Sequence, residues 1–143
     1  TKDPAYLKQS EGIADFFLNL PNMPEDFVPY WDMKAPGVDG LQSHVAVDSV
    51  PRDASAAALI ASGLYELCTY ITPEKGKRYK SIADKIVGNL GRHYQAEPGT
   101  HYGFLLLHST GHYPGGSEID VPLNYADYFY LEALARKEAL DNQ

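Results

Sequence analysis

Two segments of this chain are apolar on almost every side of a helix, and they constrain the fold more than any other feature. The first runs from Asp53 to about Ile71 and opens with the run ASAAALI after its capping aspartate. The second runs from about Val121 to Ala139 and carries apolar residues on two stripes. A helix that is apolar all round has to be buried on every side. A chain of 143 residues forms at most one ordinary domain, so it has little surface with which to bury two such helices.

Two further segments predict amphipathic helices. One begins at Asp3-Pro4, a capping residue followed by proline at the first helical position. Its apolar stripe consists of Tyr6, Ile13, Phe17 and Leu20. The other begins at Thr72-Pro73 and continues to about Tyr94. Its apolar stripe consists of Tyr79, Ile82, Ile86 and Leu90.

The order of the helices is therefore amphipathic, apolar, amphipathic, apolar. This alternation is typical of helical hairpins arranged in a barrel, with buried inner helices and half-exposed outer ones. Four helices cannot close such a barrel, and uncovered apolar faces cost about 25 cal/mol per Å² of exposed surface. A four-helix bundle with a wide core is the alternative. We expect an all-α fold with about four main helices, forming an incomplete toroid that another chain or another part of the same polypeptide completes.

The overall charge excludes some classes of partner. The formal net charge is −7, and the only basic cluster is short, which argues against nucleic acid and against an anionic membrane surface. No apolar run approaches the ~20 residues of a membrane span. The single cysteine, Cys68, excludes an intrachain disulfide framework. The chain begins with Thr1 rather than Met, so we expect a processed N-terminus or a part of a longer protein.

A loop rich in glycine precedes the last helix and is the first candidate for a binding site. Gly115, Gly116 and Ser117 can direct successive backbone N–H groups at an anion, and Ser117 adds a hydroxyl. His112 lies just before them. The alternative is a plain turn, in which Ser117 or Asp120 caps the helix and Pro122 lies in its first turn.

The histidines and acids near this loop permit other chemistry. His101, His108 and His112 could hold zinc, although their spacing of seven and four lies in a loop without a nearby cysteine; hydrogen-bonded histidines in a pocket are the preferred interpretation. Paired carboxylates are what a glycosidase needs, and the candidates here are Glu118, Asp120 and Asp127. We interpret Asp120 as a helix cap and Asp127 as a buried structural hydrogen-bond acceptor. Neither is expected to be the catalytic acid.

The segment from Pro21 to Pro51 shows no helical period and holds five prolines. A structureless loop of this length is uncommon in a compact domain and is usually functional or pinned to a neighbour. At its centre, Tyr30-Trp31-Asp32 pairs aromatic rings with a carboxylate. Trp31 can stack on a sugar ring, or it can anchor the loop by filling a gap in the core. Motifs of the GxSxG, P-loop and GxGxxG types are absent.

The last loop and helix, GHYPGGSEIDVPLNYADYFYLEALAR, strongly resemble the C-terminal signature of the unsaturated glucuronyl hydrolases, glycoside hydrolase family 88. Two further stretches support this resemblance, VPYWD at residues 28–32 and PRDASAAA at residues 51–58. The three stretches occur in the order that the family has, and together they span nearly the whole chain. The unsaturated rhamnogalacturonyl hydrolases, which share the fold, match the last loop less well.

The resemblance implies a fold and a reaction. It implies an (α/α)6 barrel, of which residues 1–143 would be the C-terminal portion, roughly a third. The substrate implied is an oligosaccharide left by a polysaccharide lyase, with a C4=C5 double bond in its terminal uronic acid. Protonation at C4 and addition of water at C5 give a hemiketal that opens and releases the remaining sugar, without a metal or organic cofactor. The family's two catalytic aspartates precede this segment, so no residue here is assigned that role.

The resemblance also implies which residues of this chain meet the substrate. The loop that matches His112 to Ser117 borders the subsites, so we expect His112, Gly115, Gly116 and Ser117 to bind substrate together with Trp31. Some relatives carry a serine and a lysine in this loop, where this chain has Gly115 and Ser117; unsulfated substrates should therefore fit better. The expected partners are the oligosaccharide and the N-terminal part of the barrel, and the expected compartment is a bacterial cytoplasm or periplasm. The alternative function is a non-catalytic helical module that binds an anionic sugar or packs against a partner chain.

Overall fold

The computed structural model describes residues 3–34 and 50–142. Over these residues the structure contains four α-helices, no β-strand and two short 3-10 turns, His101–Gly103 and Tyr113–Gly115. The helices are α1 (Pro4–Leu18), α2 (Ala54–Leu67), α3 (Pro73–His93) and α4 (Asn124–Asp141). The all-α class and the four main helices are confirmed. The part of the predicted non-helical loop that falls at residues 35–49 lies outside the described residues.

The first three helices begin where the sequence predicts. The Asp3 carboxylate accepts a hydrogen bond from the Ala5 N–H at 2.9 Å, and Asp53 accepts one from Ser55 N–H at 3.0 Å. Thr72 precedes α3 without a side-chain capping bond, and the proline at the first position supplies the start. The second helix is shorter than expected: α2 ends at Leu67, whereas the sequence predicts an end near Ile71.

The start of α4 differs from the prediction. The helix begins at Asn124 with Leu123 as its N-cap, so neither Ser117 nor Asp120 caps it. The reason is that Val121 is held in an extended bridge with Ser109, through two backbone hydrogen bonds of 2.9 and 3.0 Å. A residue paired in this way cannot also have the helical backbone that the predicted start requires.

Helices α2 and α4 pack side by side and run in the same direction. Their starts share one cavity, and farther along Ser62 of α2 donates to Glu132 of α4. One turn later, Glu66 of α2 pairs with Arg136 of α4 at 2.6 Å. The packing is close because the facing positions are small: Ala57, Ala58, Ala61, Ala126 and Ala133 are all fully buried.

Helix α3 turns back against α2 as the second half of a hairpin. Gly76 lies so near the Cys68 carbonyl that a Cβ at position 76 would come within 2.7 Å of its oxygen. Farther along, the Tyr65 hydroxyl donates to Asp84 at 2.8 Å. Helix α1 meets α3 through side chains, with Lys75 placed 2.8 Å from Asp15. The apolar helices α2 and α4 therefore lie together, with the amphipathic helices α1 and α3 beside them, as the alternation of apolar patterns predicts.

The expectation that α2 and α4 are buried on every side is wrong for the described residues taken alone. Leu59 of α2 is 45% exposed and Leu131 of α4 is 54% exposed. The predicted stripe of α1 is also divided, because Phe17 is buried whereas Ile13 is 55% exposed. Ile13 and Leu59 line a wide apolar groove between α1, α2 and α4, and Leu131 continues the exposed apolar face on α4. Uncovered apolar faces are what an incomplete toroid leaves. None of the described helices is long and apolar enough to cross a membrane.

Candidate functional site

A cavity of about 350 Å³ lies where α2 and α4 begin. It is bounded by the segment around Trp31, the first turns of α2, the loop before α4 and the first turns of α4. The aromatic side chains at its wall are those of Phe17, Tyr30, Trp31, Tyr125 and Phe129. The polar residues at its wall are Asp53, Ser55 and Thr110. Aromatic surface with a few converging polar groups is the usual composition of a small-molecule site.

The segment that carries Trp31 is held in place by its backbone. Trp31 N–H donates to the Pro51 carbonyl at 2.9 Å, and Asp53 N–H donates to the Pro29 carbonyl at 2.9 Å. The indole ring stacks on Tyr113, with ring centroids 5.2 Å apart and planes inclined by 27°. Trp31 is half-buried at the cavity wall rather than enclosed in the core. Part of the ring surface therefore remains accessible from the cavity, and stacking on a sugar stays a prediction.

Arg52 supports this segment from behind, which the sequence did not predict. Its Nε donates to the Val28 carbonyl at 2.8 Å, its guanidinium pairs with Asp26, and it lies 5.2 Å from the centre of the Tyr30 ring. Asp26 also accepts a hydrogen bond from the Tyr94 hydroxyl at 2.8 Å. Burial, followed by this bond to Asp26, raises the pKa of Tyr94 above its ordinary value. No local motif predicts the set, because the partners lie far apart in the sequence.

Asp53 joins the start of α2 to the loop before α4. Besides capping α2, its Oδ1 accepts hydrogen bonds from the Ser55 hydroxyl at 2.6 Å and from Thr110 N–H at 3.4 Å. Thr110 is almost fully buried; its hydroxyl donates to the Arg52 carbonyl and accepts from Asp120 N–H. Sequence reasoning identified the cap and missed this second role, since the contact spans more than fifty residues.

The loop from His108 to Val121 is closed by contacts between its own residues. His108 Nδ1 lies 2.7 Å from Asp120 Oδ1, so Asp120 pairs with a histidine instead of capping a helix. Three non-glycine residues of the loop have left-handed backbones: His108 (φ 62°), Glu118 (φ 52°) and Asp120 (φ 54°). Such conformations are uncommon for side-chain-bearing residues and need support from the surrounding structure.

The tip of this loop is a turn that satisfies its own backbone. Gly116 N–H donates to the Tyr113 carbonyl at 3.0 Å, and Ser117 N–H donates to the His112 carbonyl at 3.3 Å. Two of the N–H groups that the sequence offered to an anion are therefore used within the turn. The expected junction with a helix start is also absent, because α4 begins seven residues after Ser117.

The side chains of the predicted site residues nevertheless lie together at this tip. His112 Nδ1 is 3.2 Å from the Ser117 hydroxyl. Gly115 lies against the same ring, where a Cβ would come within 2.2 Å of His112 Cε1. Tyr113, between them in sequence, carries the stack with Trp31. His112, Gly115 and Ser117 thus contact one another at the tip, and Tyr113 links the tip to Trp31, which alone of the predicted site residues lines the cavity.

The remaining histidines and acids have separate partners. His101 Nδ1 contacts the Thr100 hydroxyl at 2.8 Å, whereas His108 and His112 contact Asp120 and Ser117. Within residues 3–34 and 50–142, no three His, Cys, Asp or Glu side chains are placed to hold a metal ion. Asp127 accepts hydrogen bonds from Leu105 and Leu106 N–H, each at 2.9 Å, so its prediction as a structural acceptor is confirmed.

Parallel apolar helices whose starts share a cavity, with amphipathic helices packed outside them, define this structure as part of a helical toroid. No family model matches the chain. It is 40% identical over 141 residues to the unsaturated glucuronyl hydrolase of Formosa agariphila, covering 98% of this chain and 32% of that protein. It is 30% identical over 137 residues to the unsaturated chondroitin disaccharide hydrolase of Streptococcus pneumoniae, covering 94% of this chain and 32% of that protein.

Solved structures give the same relationship. An unsaturated glucuronyl hydrolase specific for heparin superposes with a TM-score of 0.87 at 43% identity, covering 100% of this chain and 36% of that structure. The unsaturated glucuronyl hydrolase of Bacillus sp. GL1 superposes with a TM-score of 0.80 at 30% identity, covering 95% of this chain and 34% of that structure. The chain is thus a homologue of the unsaturated glucuronyl hydrolases and corresponds to the C-terminal part of their (α/α)6 barrel. It spans about a third of the length of these relatives.

Proposed function

We propose that this chain is the C-terminal part of an enzyme that hydrates the C4=C5 bond of oligosaccharides ending in an unsaturated uronic acid. The observation that carries the proposal is the aromatic and polar cavity at the shared start of α2 and α4. It occurs in a chain that is 40% identical to an unsaturated glucuronyl hydrolase over nearly its whole length. Residues 1–143 would form the C-terminal portion of a single barrel domain.

In this proposal the proton is delivered by a part of the polypeptide outside this chain. A carboxylic acid protonates C4 of the enol ether, water adds to C5, and the resulting hemiketal opens to release the remaining sugar. General acid–base catalysis and positioning provide the rate enhancement. Three aspartates near the cavity have structural roles: Asp53 caps α2, Asp120 pairs with His108, and Asp127 accepts a hydrogen bond from Leu105 N–H. No residue here is proposed as a catalytic residue.

The contribution of this chain is one wall of the substrate site. Trp31, stacked on Tyr113, offers an aromatic face to a sugar ring. His112 and Ser117 offer hydrogen-bonding groups at the loop tip. Gly115 keeps the tip narrow, because a side chain there would collide with His112, and Gly116 has a left-handed backbone (φ 68°) that favours glycine. The described wall of the cavity holds no lysine or arginine, which supports a preference for unsulfated substrates.

The N-terminal part of the barrel is the proposed partner of the apolar groove between α1, α2 and α4. Ile13 and Leu59 line that groove, and Leu131 continues the exposed apolar face on α4. Covering such a face stabilises a fold by about 25 cal/mol per Å² of apolar surface. The groove therefore supports a barrel that continues beyond these four helices.

The test uses the full-length protein and a matched pair of disaccharides, one with an unsaturated terminal uronate and one with the saturated sugar. Loss of the enol-ether absorbance with the unsaturated disaccharide alone is the expected result. Binding of the unsaturated sugar without any turnover would instead identify a non-catalytic helical module. The 143-residue chain by itself should leave the absorbance unchanged, and turnover by it alone would contradict the assignment of the catalytic groups to the rest of the protein.

A further inference from the structure

Tyr94, the C-cap of α3, binds the segment that leads to Trp31. Its hydroxyl donates to Asp26 Oδ2 at 2.8 Å. The Asn89 side chain, on the same helix, donates to the Asp26 carbonyl at 3.0 Å. Because the backbone of Asp26 is held separately, the bond from Tyr94 governs the orientation of its carboxylate. Tyr94 is buried and does not itself line the cavity.

The Asp26 carboxylate leads from Tyr94 to an aromatic side chain at the cavity wall. Asp26 Oδ1 pairs with the Arg52 guanidinium and accepts a hydrogen bond from Val28 N–H at 3.1 Å. The guanidinium lies 5.2 Å from the centre of the Tyr30 ring, and Tyr30 lines the cavity. A guanidinium is planar and donates in fixed directions, so its place against the ring depends on the orientation of the carboxylate.

The ring of Tyr94 is fixed by the loop before α4. It meets the His108 ring edge-on, with centroids 6.0 Å apart and planes inclined by 81°. Leu107 N–H donates to the Tyr94 carbonyl at 2.8 Å, so the backbone of Tyr94 is bound next to His108 as well. His108 in turn contacts Asp120 at the base of the loop. Tyr94 therefore joins two segments that border the cavity, with its ring at one and its hydroxyl at the other.

We infer that Tyr94 is a positioning residue, whose hydroxyl holds the two segments in the alignment that the substrate needs. It acts on Tyr30 by way of Asp26 and Arg52, while its ring stays fixed against His108. This inference rests on the proposed function and adds a residue to it. Loss of the alignment weakens the binding of substrate and transition state alike, so KM rises with little change in kcat.

The experiment compares Tyr94→Phe with Tyr65→Phe in the full-length protein. Each substitution removes one buried hydroxyl that donates to an aspartate at 2.8 Å, but Tyr65 and its partner Asp84 lie outside the cavity wall. Both variants should lower the urea midpoint by similar amounts, since each leaves an aspartate oxygen without its donor. Only Tyr94→Phe should raise KM for the unsaturated disaccharide, about fivefold, with kcat within about twofold of wild type.

A second variant, Asp26→Asn, tests the route from the hydroxyl to the wall. The amide keeps an atom near the Tyr94 hydroxyl but weakens the pair with Arg52, so it should raise KM by a similar factor. The double variant should raise KM no more than the larger of the two single changes, because both interrupt one path. Effects on KM that multiply would overturn this route.

The outcomes separate a positioning role from a purely structural one. An unchanged KM in Tyr94→Phe, or an equal rise in Tyr65→Phe, overturns the inference, because the hydroxyl would then act on stability alone. Failure of the wild-type protein to consume the disaccharide would instead overturn the proposed function. Titration calorimetry with the same disaccharide then decides the inference, since Tyr94→Phe should weaken Kd by a similar factor and Tyr65→Phe should not.

Discussion

His108 and Asp120 close the base of the loop that borders the cavity, with His108 Nδ1 placed 2.7 Å from Asp120 Oδ1. Both residues have left-handed backbones, with φ values of 62° and 54°. Between them the loop presents His112 and Ser117 at its tip. The contact therefore holds two strained residues on either side of the proposed binding groups, at a distance from the tip itself.

Two substitutions of Asp120 should separate the stability that comes from its contact with His108 from the stability that depends on its left-handed backbone. Asp120→Asn should lower the free energy of unfolding by about 0.5–1 kcal/mol, because it weakens an exposed pair. Asp120→Ala should cost about 1 kcal/mol more, since alanine tolerates a left-handed backbone less well than asparagine does. Urea unfolding of the full-length protein measures both changes. Equal losses in the two variants would contradict a contribution from the backbone conformation.

Asp127 should matter for stability rather than for chemistry. Its two carboxylate oxygens accept the N–H groups of Leu105 and Leu106, and Leu106 is fully buried. An amide at this position can accept through only one atom, so Asp127→Asn should lower the free energy of unfolding by about 2–3 kcal/mol. Urea unfolding with Glu138→Gln as an exposed control on the same helix checks the value. A large loss of kcat with unchanged stability would contradict a structural role.

The helix starts that the sequence predicts correctly are those with local causes. The Asp3 carboxylate accepts a hydrogen bond from the N–H two residues later, as does the Asp53 carboxylate, and each is followed by a segment with an apolar helical pattern. The start of α4 was misplaced because it is decided by a distant contact. Val121 pairs with Ser109, twelve residues earlier, and this pairing keeps the chain extended where a helical pattern had already begun.

The candidate site shows the same division between local and distant causes. The residue types at the loop tip were predicted, because glycine and serine beside histidine stand out in the sequence. The role of Asp53 in holding Thr110, and the support that Arg52 gives to Tyr30, depend on side chains brought together by the whole fold.

The contact between α1 and α3 should make stability depend on pH in the acid range. The Lys75 ammonium lies 2.8 Å from Asp15, and this bond, followed by that from the Tyr79 hydroxyl, lowers the Asp15 pKa below its ordinary value of 3.8. A carboxyl whose pKa is lowered by folding stabilises the protein above its unfolded pKa. That stabilisation is lost as the pH falls from about 3.8 through the lowered value.

Asp15→Asn should therefore flatten the acid limb of the stability profile. The urea midpoint of the full-length protein should fall less between about pH 5 and about pH 2 in this variant than in wild type. Glu97→Gln, which changes a carboxylate in a loop outside this contact, serves as the control and should follow the wild-type profile. A parallel fall in wild type and Asp15→Asn would show that the contact with Lys75 does not contribute.

Replacement of Trp31 distinguishes a sugar-stacking residue from a loop anchor. The ring is half-buried at the cavity wall and stacks on Tyr113, so Trp31→Ala should remove a stacking face worth about 0.5–1.5 kcal/mol. The expected result is a rise of up to about tenfold in KM for the unsaturated disaccharide, with a smaller change in kcat. Trp31→Phe keeps an aromatic face and should recover part of the loss.

An anchor buried in the core would behave differently, because its truncation costs about 3–5 kcal/mol of stability. A large fall in the urea midpoint of Trp31→Ala with an unchanged KM would therefore contradict the stacking role and support the role of a loop anchor.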